Sequence, residues 1–287
     1  MNLGDLLSQT SARLKSDWPE LDAQLALSHV LDRPRTWILA HPETPLTAPQ
    51  LASVEEAVSR LEAGEPLPYV LGHWEFFGLD LDITPDVLIP RPETELLVEK
   101  AIAWLQASPE RSPSTSLRIA DVGTGSAAIA IALAMRFPDV TILATDISPA
   151  ALEVAKHNAE KFHAQDQIEF VECDLLPHSS FSLHRSSFDL ICANLPYIPT
   201  KTLKGLSIFG REPTLALDGG EDGLNLVRRL LNIAPEWLAP HGQILLEIEA
   251  TQGIQALSLA CDQFEDAEIH LHQDLTGRDR LLQIQLP

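Results

Sequence analysis

Hydrophobic residues in the first part of the chain recur at the spacing of amphipathic helices. Up to Leu61, leucines and other apolar residues lie roughly three or four positions apart, which makes one face of a helix apolar. Clusters of Pro, Thr and Gly at 42–45 and 64–66 interrupt this pattern, as turns do. We therefore predict a small helical bundle over residues 1–66, which by itself carries no chemistry.

The pattern changes to aromatic and partly alternating residues over the next segment, 67–90. The runs Tyr69–Gly72 and Trp74–Ile83 are strand-like, because alternation places one face of a strand against a core. We predict a β-hairpin here and treat the segment as the linker between two domains. Pro92 then precedes glutamates, which is typical of a helix start. Either this pattern marks only the helix start, or Arg91 and its loop also border a ligand site.

Strand-like apolar runs alternate with helical patterns over the remaining residues, 91–287, after a stretch rich in Ser and Pro at 108–116. Such alternation predicts an α/β fold, a parallel sheet with helices on both faces. Only a short turn at 276–279 separates the last two strands, so we expect a hairpin to finish the sheet. The predicted strands are 117–122, 140–145, 167–172, 188–193, 243–248, 267–272 and 280–286, and the predicted helices are 127–137, 149–162 and 224–238.

A glycine-containing loop joins the first strand of this sheet to its first helix. Gly123 and Gly125 let the backbone approach a ligand, and the helix N-terminus adds a positive dipole end. Asp146 ends the next strand, where a carboxylate can bind both hydroxyls of a ribose. We therefore predict a nucleoside-containing cofactor. The predicted cofactor-binding residues are Asp121, Gly123, Thr124, Gly125, Ser126, Ala127, Asp146, Asp174, Leu175 and Asn194.

The identity of this cofactor depends on the residues around the glycine loop. Gly123-x-Gly125-x-x-Ala128 satisfies the loose dinucleotide fingerprint, so a nicotinamide-dependent oxidoreductase is one alternative. Asp121, however, suits an ammonium or a sulfonium better than a pyrophosphate. Asp174 follows the third strand and can either accept from an adenine amino group, with the next leucine on the ring, or cap a turn. The combination favours S-adenosylmethionine.

The tetrapeptide Asn194-Leu195-Pro196-Tyr197 follows the fourth strand and can hold a planar NH2 group. The Asn194 side-chain oxygen and the Leu195 carbonyl can each accept one of its hydrogens. Pro196 stiffens the turn, and Tyr197 offers a flat face. We predict that these four residues form the catalytic site and present an amide or amino nitrogen to an electrophile. The alternative is a strand end with a proline turn.

Composition and charge restrict the partners. The 287 residues carry a formal net charge of −21, which opposes a bare phosphate backbone as the main partner, because such binding rests on Lys and Arg. The charge suits small-molecule chemistry or a basic protein. Three widely spaced cysteines argue against a disulfide scaffold and a zinc site, and we expect no metal. Neither a signal peptide nor a membrane-length apolar run is evident, so we expect a cytoplasmic protein.

Taken together, these motifs resemble the HemK-type methyltransferases that modify a glutamine of peptide chain release factors. The resemblance runs nearly from end to end and includes the glycine loop and the Asn-x-Pro-Tyr tetrapeptide. It implies a class I S-adenosylmethionine-dependent methyltransferase fold, Rossmann-like, with a mostly parallel seven-stranded sheet and a small N-terminal helical domain. The further segments that carry it are 64–72, 84–95, 121–126, 194–199 and 212–224.

The resemblance also implies the reaction and its partners. The substrate is expected to be the glutamine of the release factor GGQ loop, and S-adenosylhomocysteine the product of the cofactor. We expect the N-terminal domain to recognise the substrate protein, and the enzyme to be a monomer that contacts neither nucleic acid directly nor a membrane. Glutamine methylation of a ribosomal protein and adenine amino methylation of nucleic acid remain alternatives. A non-catalytic binding module would leave Asn194 unexplained.

Two positions depart from the pattern of that family. Leu195 stands where the family usually has Pro, and Ala127 stands where its glycine loop usually ends in Gly. Because only the backbone carbonyl of Leu195 is asked to bind substrate, we expect leucine to serve with some loss of rigidity. Ala127 adds a methyl group, which we expect to lie near the cofactor and to weaken its binding modestly.

Overall fold

The chain forms two units in this structure, a computed structural model. Their boundary follows His73, within the predicted linker 67–90, and each unit is described here by itself. The Ser- and Pro-rich stretch 108–116 lies outside the described residues. Within the part of the chain that is described, no helix is long and apolar enough to cross a membrane. The described residues are 1–107, 117–177 and 187–287.

The N-terminal unit is helical, as the apolar spacing predicts. Leu3, Leu27 and Val58 are fully buried in its core. The side chain of Asn2 caps the first helix, and Thr47 starts the fourth with a capping box, an arrangement that satisfies backbone donors which have no partner within the helix. The helices are α1 Leu3–Arg13, α2 Pro19–Leu31, α3 Arg35–Ala40, α4 Ala48–Glu62 and α5 Leu67–Leu71.

Helix α5 shows that the strand-like interpretation of Tyr69–Gly72 is wrong. Pro68 lies in its first turn, and Gly72 ends it in the left-handed conformation at φ 77°, which is how short helices commonly begin and end. Burial of the helix overrides the strand preference of its aromatic and β-branched residues. The hairpin strands themselves are β1 His73–Phe76 and β2 Leu79–Asp82.

The C-terminal unit contains one sheet of seven strands. They are β3 Leu117–Val122, β4 Val140–Asp146, β5 Ile168–Glu172, β6 Phe188–Ala193, β7 Leu238–Glu247, β8 Glu268–Gln273 and β9 Asp279–Gln285. Their order is β5-β4-β3-β6-β7-β9-β8. The first five are parallel, and β9 runs antiparallel to both β7 and β8. This confirms the predicted mostly parallel sheet and its terminal hairpin.

Helices accompany the strands as predicted, with one difference. The expected helix 224–238 ends at Ile233 and continues as a 3-10 turn, Ala234–Glu236, because Pro235 has no backbone N–H to donate. Strand β7 consequently begins at Leu238, five residues before its predicted start. The helices are α6 Glu95–Ala107, α7 Ala128–Arg136, α8 Pro149–Lys161, α9 Thr200–Leu203, α10 Asn225–Ile233 and α11 Gly253–Gln263.

The strand order determines where a site can form. Strand β3 comes first along the chain within this sheet, and β4 and β6 lie on its two sides. The connections therefore leave in opposite directions at this point, which opens a crevice beyond the carboxyl ends of the strands. The glycine loop, Asp146 and Asn194 all follow strands that end at this edge.

Candidate active site

A cavity of about 900 Å³ opens at the carboxyl ends of β3, β4 and β6, which is large enough for a nucleoside cofactor. A second cavity of about 90 Å³ is lined by the tetrapeptide, Arg91 and apolar neighbours. Asn194, Leu195, Pro196 and Arg91 line both. The predicted cofactor residues that line the larger cavity are Gly123, Thr124, Gly125, Ser126, Asp146, Asp174, Leu175 and Asn194.

The glycine loop curls around the end of β4. The backbone amides of Gly123 and Thr124 both donate to the Thr145 carbonyl at 2.8 Å. Gly123 has φ 73°, and a Cβ there would approach the Leu195 side chain to 3.2 Å. Glycine is therefore needed both for the left-handed backbone and for the space beside the tetrapeptide.

Asp146 joins the glycine loop to the start of α8. Its Oδ2 accepts from Gly125 N and its Oδ1 from Ser148 N, each at 2.9 Å. Because each carboxylate oxygen has further lone pairs, Asp146 can still accept from two ribose hydroxyls. The backbone bonds hold the carboxylate in one orientation at the cavity wall.

Asp121 is buried behind the loop and does not line either cavity. Its Oδ2 accepts from the Thr124 hydroxyl at 2.6 Å and from Ala130 N at 3.2 Å. Its Oδ1 is buried and has no hydrogen-bond partner among the described residues. Burial raises the pKa of the carboxyl to about 6. An unpaired buried carboxylate oxygen fits a cationic group of a ligand, because a nearby positive charge offsets its desolvation.

Asp174, at the opposite end of the cavity, already has a protein partner. Its Oδ2 accepts from Arg229 Nη2 at 2.6 Å, and both side chains are about half exposed (49% and 51%). The remaining oxygen, Oδ1, is the one available to an adenine amino group. Leu175, next to it, is buried and lines the cavity.

Ala127 departs from its expected place beside the cofactor. It is fully buried, does not line the cavity, and has a left-handed backbone at φ 64°. An L-residue with a Cβ is disfavoured by about 1–2 kcal/mol in that conformation, which gives a backbone reason for glycine at this position. Its cost to this chain therefore lies in the backbone.

The tetrapeptide presents two hydrogen-bond acceptors at the junction of the cavities. Asn194 Nδ2 donates to the Thr94 hydroxyl at 2.9 Å, which turns Oδ1 away from Thr94. Within the described residues, neither Asn194 Oδ1 nor the Leu195 carbonyl accepts a hydrogen bond. The Leu195 side chain is buried at 3% exposure and packs toward the glycine loop.

Tyr197 is anchored by a buried acid at the end of β7. Its hydroxyl donates to Glu247 Oε1 at 3.3 Å, and burial raises its pKa. Burial also raises the pKa of Glu247 to about 7, against hydrogen bonding from the Thr94 hydroxyl and attraction by Arg280. The second carboxylate oxygen, Oε2, has no well-aligned partner among the described residues.

A loop rich in glycine supports the backbone of the tetrapeptide from behind. Gln252 Nε2 donates to the Tyr197 carbonyl at 2.9 Å, and Gly219 N donates to the Ile198 carbonyl at 2.9 Å. A Cβ on Gly223 would lie 2.2 Å from the Tyr197 carbonyl oxygen. These contacts explain why the segment 212–224 accompanies the tetrapeptide.

Arg91 closes one wall of the site through an ion pair. Its Nη2 lies 2.5 Å from Oε1 of the buried Glu212, whose Oε2 also accepts from Ile89 N at 3.3 Å. Because Arg91 lines both cavities, its position fits the interpretation in which its loop borders a ligand site. The pair ties the segment 84–95 to the segment 212–224.

Four of these residues were missed in the sequence, namely Thr94, Glu212, Glu247 and Gln252. They reach the tetrapeptide from four different segments of the chain, so no local spacing connects them. One signal was present: Glu247 interrupts the apolar strand Ile244–Ile248, and an acid in a buried strand needs a partner.

Comparison with known families divides the chain in a similar way. The model of the PrmC N-terminal domain matches residues 5–72, and a methyltransferase domain model matches residues 119–207. A release factor glutamine methyltransferase of Moorella thermoacetica is 40% identical over 286 residues, covering 98% of this chain and 97% of the relative. Those of Coxiella burnetii and Bordetella pertussis are each 39% identical and cover 93% and 92% of this chain, and 92% and 93% of the relatives.

Solved structures support the fold. The N-terminal domain of human METTL16, in complex with SAH, is 17% identical with a TM-score of 0.52, covering 91% of this chain and 94% of that one. A methyltransferase of Pyrococcus furiosus is 17% identical with a TM-score of 0.51, covering 73% and 90%. The predicted class I methyltransferase architecture is confirmed.

Proposed function

The chain belongs to the family of release factor glutamine methyltransferases, and from this premise we propose how it acts on its substrate. It transfers a methyl group from S-adenosylmethionine to the side-chain amide nitrogen of the GGQ glutamine of a peptide chain release factor. One observation carries the assignment of the site: Asn194 Oδ1 and the Leu195 carbonyl are adjacent acceptors at the end of a cofactor-sized cavity.

The cofactor residues fit S-adenosylmethionine by their chemistry. Asp146 is oriented to accept from ribose hydroxyls, and Asp174 retains an oxygen for the adenine amino group. The unpaired Asp121 oxygen suits the positive charge at the methionine end. When bound, the cofactor supplies an electrophilic methyl group on its sulfonium.

The chain's own residues orient the nucleophile. An amide nitrogen is a poor nucleophile because its lone pair is delocalised into the carbonyl. Asn194 Oδ1 and the Leu195 carbonyl accept its two hydrogens, which aims the nitrogen and favours the partial positive charge that develops on it. Tyr197 packs on the amide plane. No strong base is required before transfer, because the methylated amide can lose its proton afterwards.

Recognition of the whole release factor is part of the proposal. The N-terminal unit binds the substrate protein, and the net charge of −21 favours a basic loop, such as one that meets rRNA. A protein with this substrate acts in translation termination, which places it in the cytoplasm. The named relatives do not favour the alternatives, a ribosomal protein or nucleic acid.

The test uses labelled S-adenosylmethionine with three separate acceptors: a release factor, ribosomal proteins and rRNA. We expect label in the release factor only, on the GGQ glutamine. Label in rRNA or in a ribosomal protein, with none in the release factor, would overturn the substrate assignment.

A variant tests the assigned residues. Asn194→Ala should lower kcat/KM by about 10²–10³-fold, as for other losses of one oriented polar group. Asn232→Ala, the same change at an exposed position of α10, is the control and should retain activity. Near-normal turnover of Asn194→Ala would show that the tetrapeptide does not hold the amide.

A further inference from the structure

The side-chain amide of Asn194 has two faces that differ in chemistry. Only its oxygen can accept from a substrate NH2 group, whereas its own NH2 group would repel the substrate's donors. Rotation about the last side-chain bond exchanges the two. A clamp built on Asn194 therefore requires something that decides which face points to the substrate.

Thr94 is the group in contact with the other face. Its hydroxyl lies 2.9 Å from Asn194 Nδ2, and the residue is buried at 5% exposure. A hydroxyl has one proton and can either donate to Asn194 or accept from it. The direction of the Thr94 hydroxyl thus determines the orientation of the amide.

Glu247 determines that direction. Its carboxyl is buried at 1% exposure and takes hydrogen bonds from the Thr94 and Tyr197 hydroxyls. A carboxylate accepts and does not donate, so the Thr94 proton points to Glu247 and its lone pairs point to Asn194. The same carboxyl holds the ring of Tyr197. Glu247 lines neither cavity.

We propose that Thr94 and Glu247 are positioning residues, which form a relay that keeps Asn194 Oδ1 turned toward the substrate nitrogen. The inference deepens the proposed function and rests on it. The relay runs from the Asn194 NH2 group to the Thr94 hydroxyl and from there to the Glu247 carboxyl. It transfers no group and supplies no proton to the reaction.

The first readout needs no substrate. The side-chain NH2 signals of Asn194 are identified in the NMR spectrum of the 15N-labelled protein as the pair that Asn194→Ala removes. In Thr94→Val, which keeps the shape and loses the hydroxyl, we expect their hydrogen exchange to become at least about tenfold faster, because a hydrogen bond of roughly 1.4 kcal/mol is lost. Thr94→Ser should restore slow exchange. Unchanged exchange in Thr94→Val would overturn the proposal.

The second readout is methyl transfer to the acceptor that the wild-type protein labels. Thr94→Val should lower kcat about 10–100-fold with little change in the affinity for S-adenosylhomocysteine, and Thr94→Ser should recover most of it. Thr141→Val, at an exposed position at the other end of β4, is the control. If Thr94→Val slows exchange changes but the wild type never labels a release factor, the substrate assignment fails and the relay stands.

A double-mutant cycle separates positioning from a general loss of structure. In the Asn194→Ala background the relay has nothing left to orient, so adding Thr94→Val should cost less than about twofold further. Two independent losses that multiply would show that Thr94 acts on the fold as a whole, and the proposal would be wrong.

Discussion

Glu247 makes the stability of the protein depend on pH in a predictable direction. Burial raises its pKa from the ordinary 4.5 to about 7, so the folded state binds this proton more tightly than the unfolded state. Its contribution is therefore complete below the unfolded pKa and is lost as pH rises through the folded one. The full shift is equivalent to about 3 kcal/mol, of which about 2 kcal/mol is lost between about pH 5.5 and pH 8.5.

The variant Glu247→Gln removes this titration and nearly keeps the shape of the side chain. The free energy of unfolding in urea is measured for both proteins at several pH values in that window. Relative to the wild type, the variant should gain about 2 kcal/mol from the acid to the alkaline end. A constant offset between the two proteins reports lost contacts, whereas the slope reports the buried charge.

Asp121→Asn provides the matched control, because Asp121 is the other fully buried acid with a raised pKa. Its pKa of about 6 lies lower, so most of its loss occurs on the acid side of the window and the variant should gain only about 1 kcal/mol or less within it. A flat difference for Glu247→Gln, or a larger slope for Asp121→Asn, would refute the reasoning.

Two further substitutions test how the site is supported. Gly223→Ala should lower the free energy of unfolding by more than about 3 kcal/mol, because the methyl would lie 2.2 Å from a backbone oxygen; Gly78→Ala, with a similar φ of 77° and open space, should cost only about 1–2 kcal/mol. Asn158→Ala should cost about 2–4 kcal/mol, because Asn158 bonds both backbone groups of Asp82 and the Ser126 carbonyl. It should also weaken S-adenosylhomocysteine binding, as measured by calorimetry, since Ser126 lines the cavity; equal affinities would separate the hairpin from the cofactor loop.

The architecture was predictable because its determinants are local. Apolar runs with helical patterns between them specify strands and crossovers, and a short turn before the last strand specifies a hairpin. The two differences arise where punctuation matters more than composition. Pro68 and Gly72 bound a helix in a segment of strand-forming residues, and Pro235 ends a helix early so that β7 starts at Leu238.

The candidate site was predictable only as far as strand ends go. Residues such as Gly123, Asp146 and Asn194 follow strands, and parallel strands bring their carboxyl ends to one edge. Thr94 and Gln252 could not be assigned in this way. They lie on other segments and meet the tetrapeptide through side-chain hydrogen bonds, whose partners depend on how helices and loops pack over the sheet.

The supporting residues also explain why Leu195 is compatible with a rigid clamp. A proline at this position would stiffen the backbone from within. Here the backbone just beyond it is fixed from outside, by Gln252 on the Tyr197 carbonyl and by paired backbone bonds between Ile198 and the loop that contains Gly219. The Leu195 side chain is itself buried beside the glycine loop. The carbonyl can therefore keep its direction without the ring, because the fold restricts the same backbone bonds that proline would restrict.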